Sequence, residues 1–532
     1  MKTLSDRLLQ DAVVEKIWKR DPSTWKAAPG SADARSIETR LGWLDVASTM
    51  KPHMPAVHRL GEQVRDEKFE AAYLLGMGGS SLCAEVLRSV FGIADGHPQL
   101  HVLDTTDELT LATAASRMDP ARTLFIIASK SGGTLEVASM ERFFWTRMTA
   151  ALGADAGRHF VAITDPGTAL QSLAETRGYR EVFINPPDIG GRFSALSLFG
   201  LVPAAVIGAP VDVLLAGGAA MAEGCRQHNH ANAGLELGAF MGAAALDGRD
   251  KLTVALAPSF AALGLWIEQL VAESTGKHGK GLLPVVDEPL GRPDEYGTDR
   301  AFVAVASESD APDEERLSAL EAAGHPVFRL SMRHDGLGAE FFRWEFATAV
   351  AGAALGLNPF DEPNVSEAKD KTKALLSGYA AKGRFDELPA ALSADAVRET
   401  VASIRPGDYV AFLSYLPGET DIETTVAEIR QALRARTRAA STFGLGPRYL
   451  HSTGQYHKGG PNTCVAFVLT ADDETATPIP EAGYSFAVLK RAQALGDVQA
   501  LEAHGRRVMR LHFKHASTAA EELRRLFTEA MP

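Results

Sequence analysis

Residues 71–91 read AAYLLGMGGSSLCAEVLRSVF. The run Ala71–Leu75 has the length of a strand and is apolar throughout. Glycines follow at 76, 78 and 79, and from Leu82 the apolar residues recur at helical spacing. A strand without alternation is buried on both faces, and a helix entered directly from its end covers one of them. The order repeats outward through LHVLD (100–104), TLFIIAS (123–129), TLEVASMERFFWTRM (134–148) and HFVAIT (159–164). The pattern predicts a doubly wound parallel sheet.

A second series, at weaker contrast, runs through KLTVALAP (251–258), the apolar stretch Leu263–Val271, AFVAVAS (301–307) and PVFRLSM (326–332), and closes with a helix over Trp344–Leu355. Beyond Lys373 the segment GYAAKGRFDELPAALSAD (378–395) reads as a helix with little apolar content. DYVAFLSYLP, TTVAEIRQALRART, CVAFVLT and RRVMRLHF then read as strand, helix, strand and strand. The expected fold class is α/β, with two doubly wound parallel-sheet domains and a C-terminal α/β unit. The expected division is a helical arm at 1–50, domains at 51–224 and 225–376, and the C-terminal unit at 377–532.

A chain of 532 residues suits two to four domains. Its 45% hydrophobic and 23% charged residues are globular in character, and the net charge of −13 comes without basic runs. General affinity for nucleic acid or an anionic membrane is therefore not expected, and an anionic ligand must be held by local groups. Cys83, Cys225 and Cys464 have no metal or disulfide spacing, which fits a reducing cytoplasm. The N-terminal MKTLSDRLLQDAVVEKIW carries Asp6, Asp11 and Glu15 and reads as an amphipathic helix, not a signal peptide. Phe193–Pro210 is uncharged, but Gly200, Pro203, Gly208 and Pro210 interrupt it, so a buried helix is expected and not a membrane span. His228 and His230 lack a third ligand at metal spacing, and neither metal nor cofactor is expected.

Two loops carry chemistry. Gly76-Met77-Gly78-Gly79-Ser80-Ser81 ends the first strand and opens a helix, where free amides and the helix dipole favour an anion. It matches neither the dinucleotide fingerprint nor the Walker pattern. Ser129-Lys130-Ser131-Gly132-Gly133-Thr134 stands at the equivalent point of a neighbouring strand–helix unit. Hydroxyls, a lysine and mobile backbone from both loops can surround the three oxygens of one phosphate.

Paired loops of this kind resemble the sugar-isomerase (SIS) domain family. Three further segments are similar to the phosphoglucose isomerase family: Gly190-Gly191-Arg192-Phe193-Ser194, Glu273-Ser274-Thr275-Gly276-Lys277, and Asn358-Pro359-Phe360-Asp361 leading to Lys369. The resemblance spans about residues 70–376. The segment YLHSTGQYHKGGPN (449–462) resembles the isomerase half of bacterial fusions with transaldolase, although no transaldolase half is present in this sequence.

The resemblance implies interconversion of glucose 6-phosphate and fructose 6-phosphate through a cis-enediolate. Gly79, Ser80, Ser129, Lys130, Ser131 and Thr134 would hold the phosphate. Glu273 would be the base and Arg192 would face the enediolate charge. A histidine and a lysine open the sugar ring in the family. Lys369 matches the lysine by spacing, although Glu362, Pro363 and Asn364 depart from the family pattern before it. The histidine has no match, because Gly297-Thr298-Asp299-Arg300-Ala301 stands where the family carries it. His457 is the favoured replacement, with Arg300 and His278 as alternatives. The family pairs as a homodimer with residues shared across the interface, and the additional C-terminal unit leaves oligomeric state open. Two other readings remain: an isomerase that also accepts mannose 6-phosphate, and a non-catalytic phosphosugar sensor.

Overall fold

A computed structural model describes residues 3–386, 390, 392–418, 421–473 and 475–531. The first sheet contains β1 (Ala71–Leu75), β2 (Gln99–Leu103), β3 (Thr123–Ala128), β4 (Phe160–Thr164) and β5 (Glu181–Ile184), in the order β2-β1-β3-β4-β5 and parallel throughout. Helix α1 (Leu82–Phe91) follows the first glycine-rich loop, and α2 (Leu135–Leu152) follows the second. Since β1 and β3 pair, the two loops leave neighbouring strands at the same end of the sheet.

The second sheet has β6 (Lys251–Leu256), β7 (Leu283–Val285), β8 (Arg300–Ala306) and β9 (Val327–Ser331) in the order β7-β6-β8-β9. It carries α3 (Leu263–Thr275) and α4 (Leu337–Leu355), followed by α5 (Val365–Lys382). The third sheet has β10 (Tyr409–Ser414), β11 (Ala440–Leu445), β12 (Cys464–Ala471) and β13 (Arg507–Phe513) in the order β11-β10-β12-β13. Its helices include α6 (Ile422–Thr437), α7 (Gly454–Gly459) and α8 (Phe486–Ala503). In all three sheets the first strand lies between the second and the third, so one winding scheme occurs three times.

Three expectations need adjustment. Strand β7 is only three residues long, and β11, ASTFGL, is only half enclosed, so neither produces the continuous apolar run that signals a buried strand. Helix α8 separates β12 from β13, where the sequence reading had two strands in succession. The helix expected over 378–395 ends at Lys382, and residues 387–389 and 391 lie outside the described residues.

The N-terminal helices lie against the second sheet's helices. Trp18 stacks on Phe342 and Phe346, and Trp25 Nε1 donates to the Ala349 carbonyl at 2.9 Å. The run from Phe193 contains the helix Leu198–Val206, every residue of which is buried, and no helix among the described residues is long and apolar enough to cross a membrane.

The third unit fastens to both others. Phe486, Leu489 and Ala492 of α8 join the apolar cluster on one face of the first sheet. Leu283 and Val285 of the second sheet join the face formed by Tyr409, Ala411 and Leu413. Polar groups bridge the second junction: Arg430 Nη2 donates to the Val286 carbonyl at 2.8 Å, and Lys251 Nζ donates to the Gly407 carbonyl at 2.6 Å. Carbonyls beside the ends of two sheets, that of Val286 buried and that of Gly407 partly so, are thus satisfied by side chains of the opposite unit.

Candidate active site

The two phosphate-loop candidates and the Arg192 loop meet at the carboxyl ends of β1 and β3, where open parallel sheets place their ligands. Gly79 permits the approach: a Cβ there would stand 1.9 Å from the Gly191 carbonyl oxygen. The Ser129 and Thr134 hydroxyls lie 3.1 Å apart at the N-terminus of α2. Thr134 makes no capping bond, so the first amides of that helix point to the same place. Ser80 is buried at the start of α1, and its hydroxyl has no hydrogen-bond partner among the described residues. Ser131 is exposed, and its hydroxyl accepts from the Gly133 amide at 3.3 Å. Lys130 points elsewhere: its ammonium is paired with Asp165 and donates to the Pro187 carbonyl at 2.9 Å.

Glu273 lies near the end of α3, buried, with Oε1 3.5 Å from Arg192 Nη1 and Oε2 accepting from Gln269 Nε2 at 3.0 Å. Burial pushes its carboxyl above the ordinary value, while Arg192 and the Gln269 bond hold it down. Arg192 is anchored on every side. Nε donates to Ser274 Oγ at 2.8 Å, Nη1 meets Glu362 at 3.0 Å, and Nη2 donates to the carbonyls of Pro359 and Asp361 at 2.8 and 2.9 Å. Lys277 holds the same Asn358–Asp361 loop, with Nζ bonded to the Asn358 and Asp361 carbonyls, and burial brings its pKa down to about 8.

The third unit reaches this site through the turn Arg448–His451. His451 Nε2 lies 2.9 Å from Glu136 Oε1, on the first turn of α2, and the His451 carbonyl accepts from Gln269 Nε2 at 2.8 Å. Gly78, at φ +55°, makes room for it: a Cβ would stand 2.6 Å from that carbonyl. Gln493 Nε2 donates to the same Glu136 oxygen at 2.7 Å, and Thr106 Oγ1 fixes Gln493 at 2.7 Å. Burial alone would raise the Glu136 pKa, but His451 and the charge of Lys369 bring it below the ordinary carboxylate value. Lys369 itself is exposed on α5.

His457 lies elsewhere. It is enclosed on α7 with Nδ1 2.8 Å from the Tyr409 hydroxyl and its ring stacked on Tyr409. Burial, with the charges of Lys458 and Arg506, pushes its pKa down to about 3. His457 is thus packed among buried tyrosines of the third unit, whereas His451 is the histidine placed against Glu136. Arg300 is also enclosed, bonded to Glu288 and Thr253, and His278 sits on an exposed turn at φ +54°. His451 is six residues before His457 in the same quoted segment, and no local pattern separates the two.

Comparison with known proteins agrees with this geometry. The phosphoglucose isomerase family profile matches residues 61–283. A glucose-6-phosphate isomerase of Rubrobacter xylanophilus is 31% identical over 406 residues, covering 65% of this chain and 91% of its own. The chain belongs to the phosphoglucose isomerase family. A glucose-6-phosphate isomerase of Exiguobacterium sibiricum is 28% identical over 409 residues, 66% of this chain and 90% of its own. Among solved structures, a hypothetical protein of Thermus thermophilus superposes with a TM-score of 0.60 at 25% identity, covering 70% of this chain and 99% of that one. A glucose-6-phosphate isomerase of Chlamydia trachomatis, at 18% identity and a TM-score of 0.55, shares the fold. The Rubrobacter match leaves about a third of this chain uncovered, and His451 lies in the turn between β11 and β12 of the third unit.

Proposed function

We infer that this protein is a glucose-6-phosphate isomerase that interconverts glucose 6-phosphate and fructose 6-phosphate through a cis-enediolate. The observation that carries this reading is Glu273, a buried carboxylate between a fixed guanidinium and a fixed amide at the mouth of a hydroxyl- and amide-lined cradle. The phosphate would sit on Gly79, Ser80, Ser129, Ser131 and Thr134 and on the N-termini of α1 and α2. Lys130 would contribute charge at longer range, from its pairing with Asp165.

Transfer of a proton between C1 and C2 needs one group that removes it from one carbon and returns it to the next. A carboxylate whose pKa burial raises suits both halves, because it is a stronger base than an exposed carboxylate and can still return the proton. The enediolate oxygen carries negative charge, and Arg192 is already oriented, so stabilising that charge requires no reorganisation. Ring opening is assigned to His451 with Lys369. His451 Nε2 lies 2.9 Å from Glu136 Oε1, which orients the ring and leaves Nδ1, without a partner among the described residues, to exchange a proton with the ring oxygen. All these groups come from one chain, so the proposed site needs no second copy. A cytoplasmic location accords with the reading and with three buried, unpaired cysteines.

The direct test is conversion of fructose 6-phosphate to glucose 6-phosphate in a coupled dehydrogenase assay, with wild type beside Glu273→Gln. Turnover by the wild type is expected, with a loss of about 10²–10⁴-fold in the variant at unchanged phosphosugar affinity. A wild type that binds the sugar without turning it over would make the chain a sensor and end the isomerase reading.

A further inference from the structure

Behind the turn that carries His451, where the three sheets meet, lies a cavity of about 900 Å³. Arg448, Tyr449 and Ser452 form part of its wall, and the first two belong to the turn Arg448–His451 itself. One side of that turn therefore faces Glu136 and Gln269, and the other faces the cavity. Neither Glu273 nor any residue of the two phosphate loops lines it.

The wall is mixed. Leu100, Leu265 and Phe443 supply apolar surface. Its guanidinium groups are already engaged: Arg88 with Glu85, Arg448 with Asp104 at 2.7 Å, and Arg430 with the carbonyls of Val286 and Ser441 at 2.8 Å each. Arg117 is not free either. Glu268, on α3, differs from all of these. It is 7% exposed, its side chain lines the cavity, and it has no hydrogen bond or ion pair among the described residues. Asp287 lines the cavity beside it, held at φ +52°, and Glu423 of α6 adds a third carboxyl. Burial and the charge of Asp287 push the Glu268 carboxyl up to about 8, against the opposing charges of Arg430 and Arg448, neither of which bonds to it.

A buried carboxyl without a partner in a roomy cavity is an incomplete interaction. An anion would find the guanidiniums occupied. Among the described residues no three His, Cys, Asp or Glu side chains come together to hold a metal ion. An ammonium group supplies the missing donors and would itself draw the Glu268 carboxyl into its ionised form, and an alkyl chain attached to it has Leu265 and Phe443 to lie on.

We propose that this cavity is a second ligand site, taking a small aliphatic amine whose ammonium meets Glu268 and Asp287, and that its occupant steadies the turn carrying His451. The link to His451 rests on the isomerase reading above, whereas the binding site does not.

The test is calorimetric titration of the full chain with spermidine, together with amide hydrogen exchange over residues 448–452. Saturable binding is expected, weakened about tenfold or more by Glu268→Gln. Thr424→Lys, at an exposed position on the cavity wall, is expected to have the same effect by placing an ammonium of the protein's own there. Exchange at 448–452 should slow on binding. No saturable binding, binding that neither substitution weakens, or binding of inorganic phosphate in place of spermidine would overturn the site. Unchanged exchange in the bound protein would overturn the coupling. Calorimetry does not read turnover, so a chain that binds spermidine yet fails to isomerise would refute the isomerase reading alone.

Discussion

At Glu273 burial resists charge, while Arg192 at 3.5 Å and the Gln269 amide at 3.0 Å favour it. The base works when deprotonated, so kcat/KM should fall as pH drops through its raised pKa. Gln269→Leu removes a bond that favours the charged form and should move that acid limb to higher pH; a pH–rate profile with an unmoved limb would show that Gln269 does not tune the base. Glu345 presents a different case. It is fully buried on α4 with both carboxyl oxygens unpaired among the described residues, and burial raises its pKa well above 4.5. The folded protein retains a proton there that the unfolded chain has lost, so the group's contribution to stability falls as pH rises above the unfolded value. Glu345→Gln should therefore raise Tm more at pH 8 than at pH 5. Equal shifts at both pH values would mean that the carboxyl is not held neutral.

The site is assembled from elements that are short and mutually dependent. The first glycine-rich loop must pass the Gly191 carbonyl at a distance no Cβ can share, so Gly79→Ala should separate the phosphate loop from the Arg192 loop. A destabilisation of about 1–3 kcal/mol by denaturant titration is expected, with KM rising at the same time. The segment 448–459 separates two histidines by placement: the turn presents His451 to Glu136, and α7 turns His457 toward the Tyr409 hydroxyl. His451→Gln should abolish turnover of cyclic sugar, by about 10²-fold or more, while retaining proton exchange on the open-chain form. His457→Gln should lose stability before activity. Full turnover of cyclic sugar by His451→Gln would remove this histidine from the mechanism. The segment was legible as important from its polar and glycine-rich composition, but the choice between its two histidines was not, because it depends on which residue a 3-10 turn and a helix leave facing α2.

At the scale of the molecule, the third unit packs on both others and brings His451 to Glu136, and we propose that the site is complete within one chain and that the parts of the chain divide at 1–50, 51–224, 225–376 and 377–532. Specific activity should then be independent of protein concentration from nanomolar to micromolar, checked by assay beside sedimentation; activity lost on dilution would require a second copy. The sequence by itself determined the α/β class, the two loops at successive strand ends, and Glu273 and Arg192 as candidates. Each of those signals is local: a strand's apolar run, its glycine-rich exit and the helix behind it are neighbours in the chain. Tertiary structure alone decided that β7 and β11 are strands, that Lys130 is paired with Asp165, that His451 faces the site, and that Glu268 faces a cavity without a partner. Those outcomes depend on contacts between residues as far apart as Glu136 and His451, and nothing in the neighbourhood of either residue encodes the other.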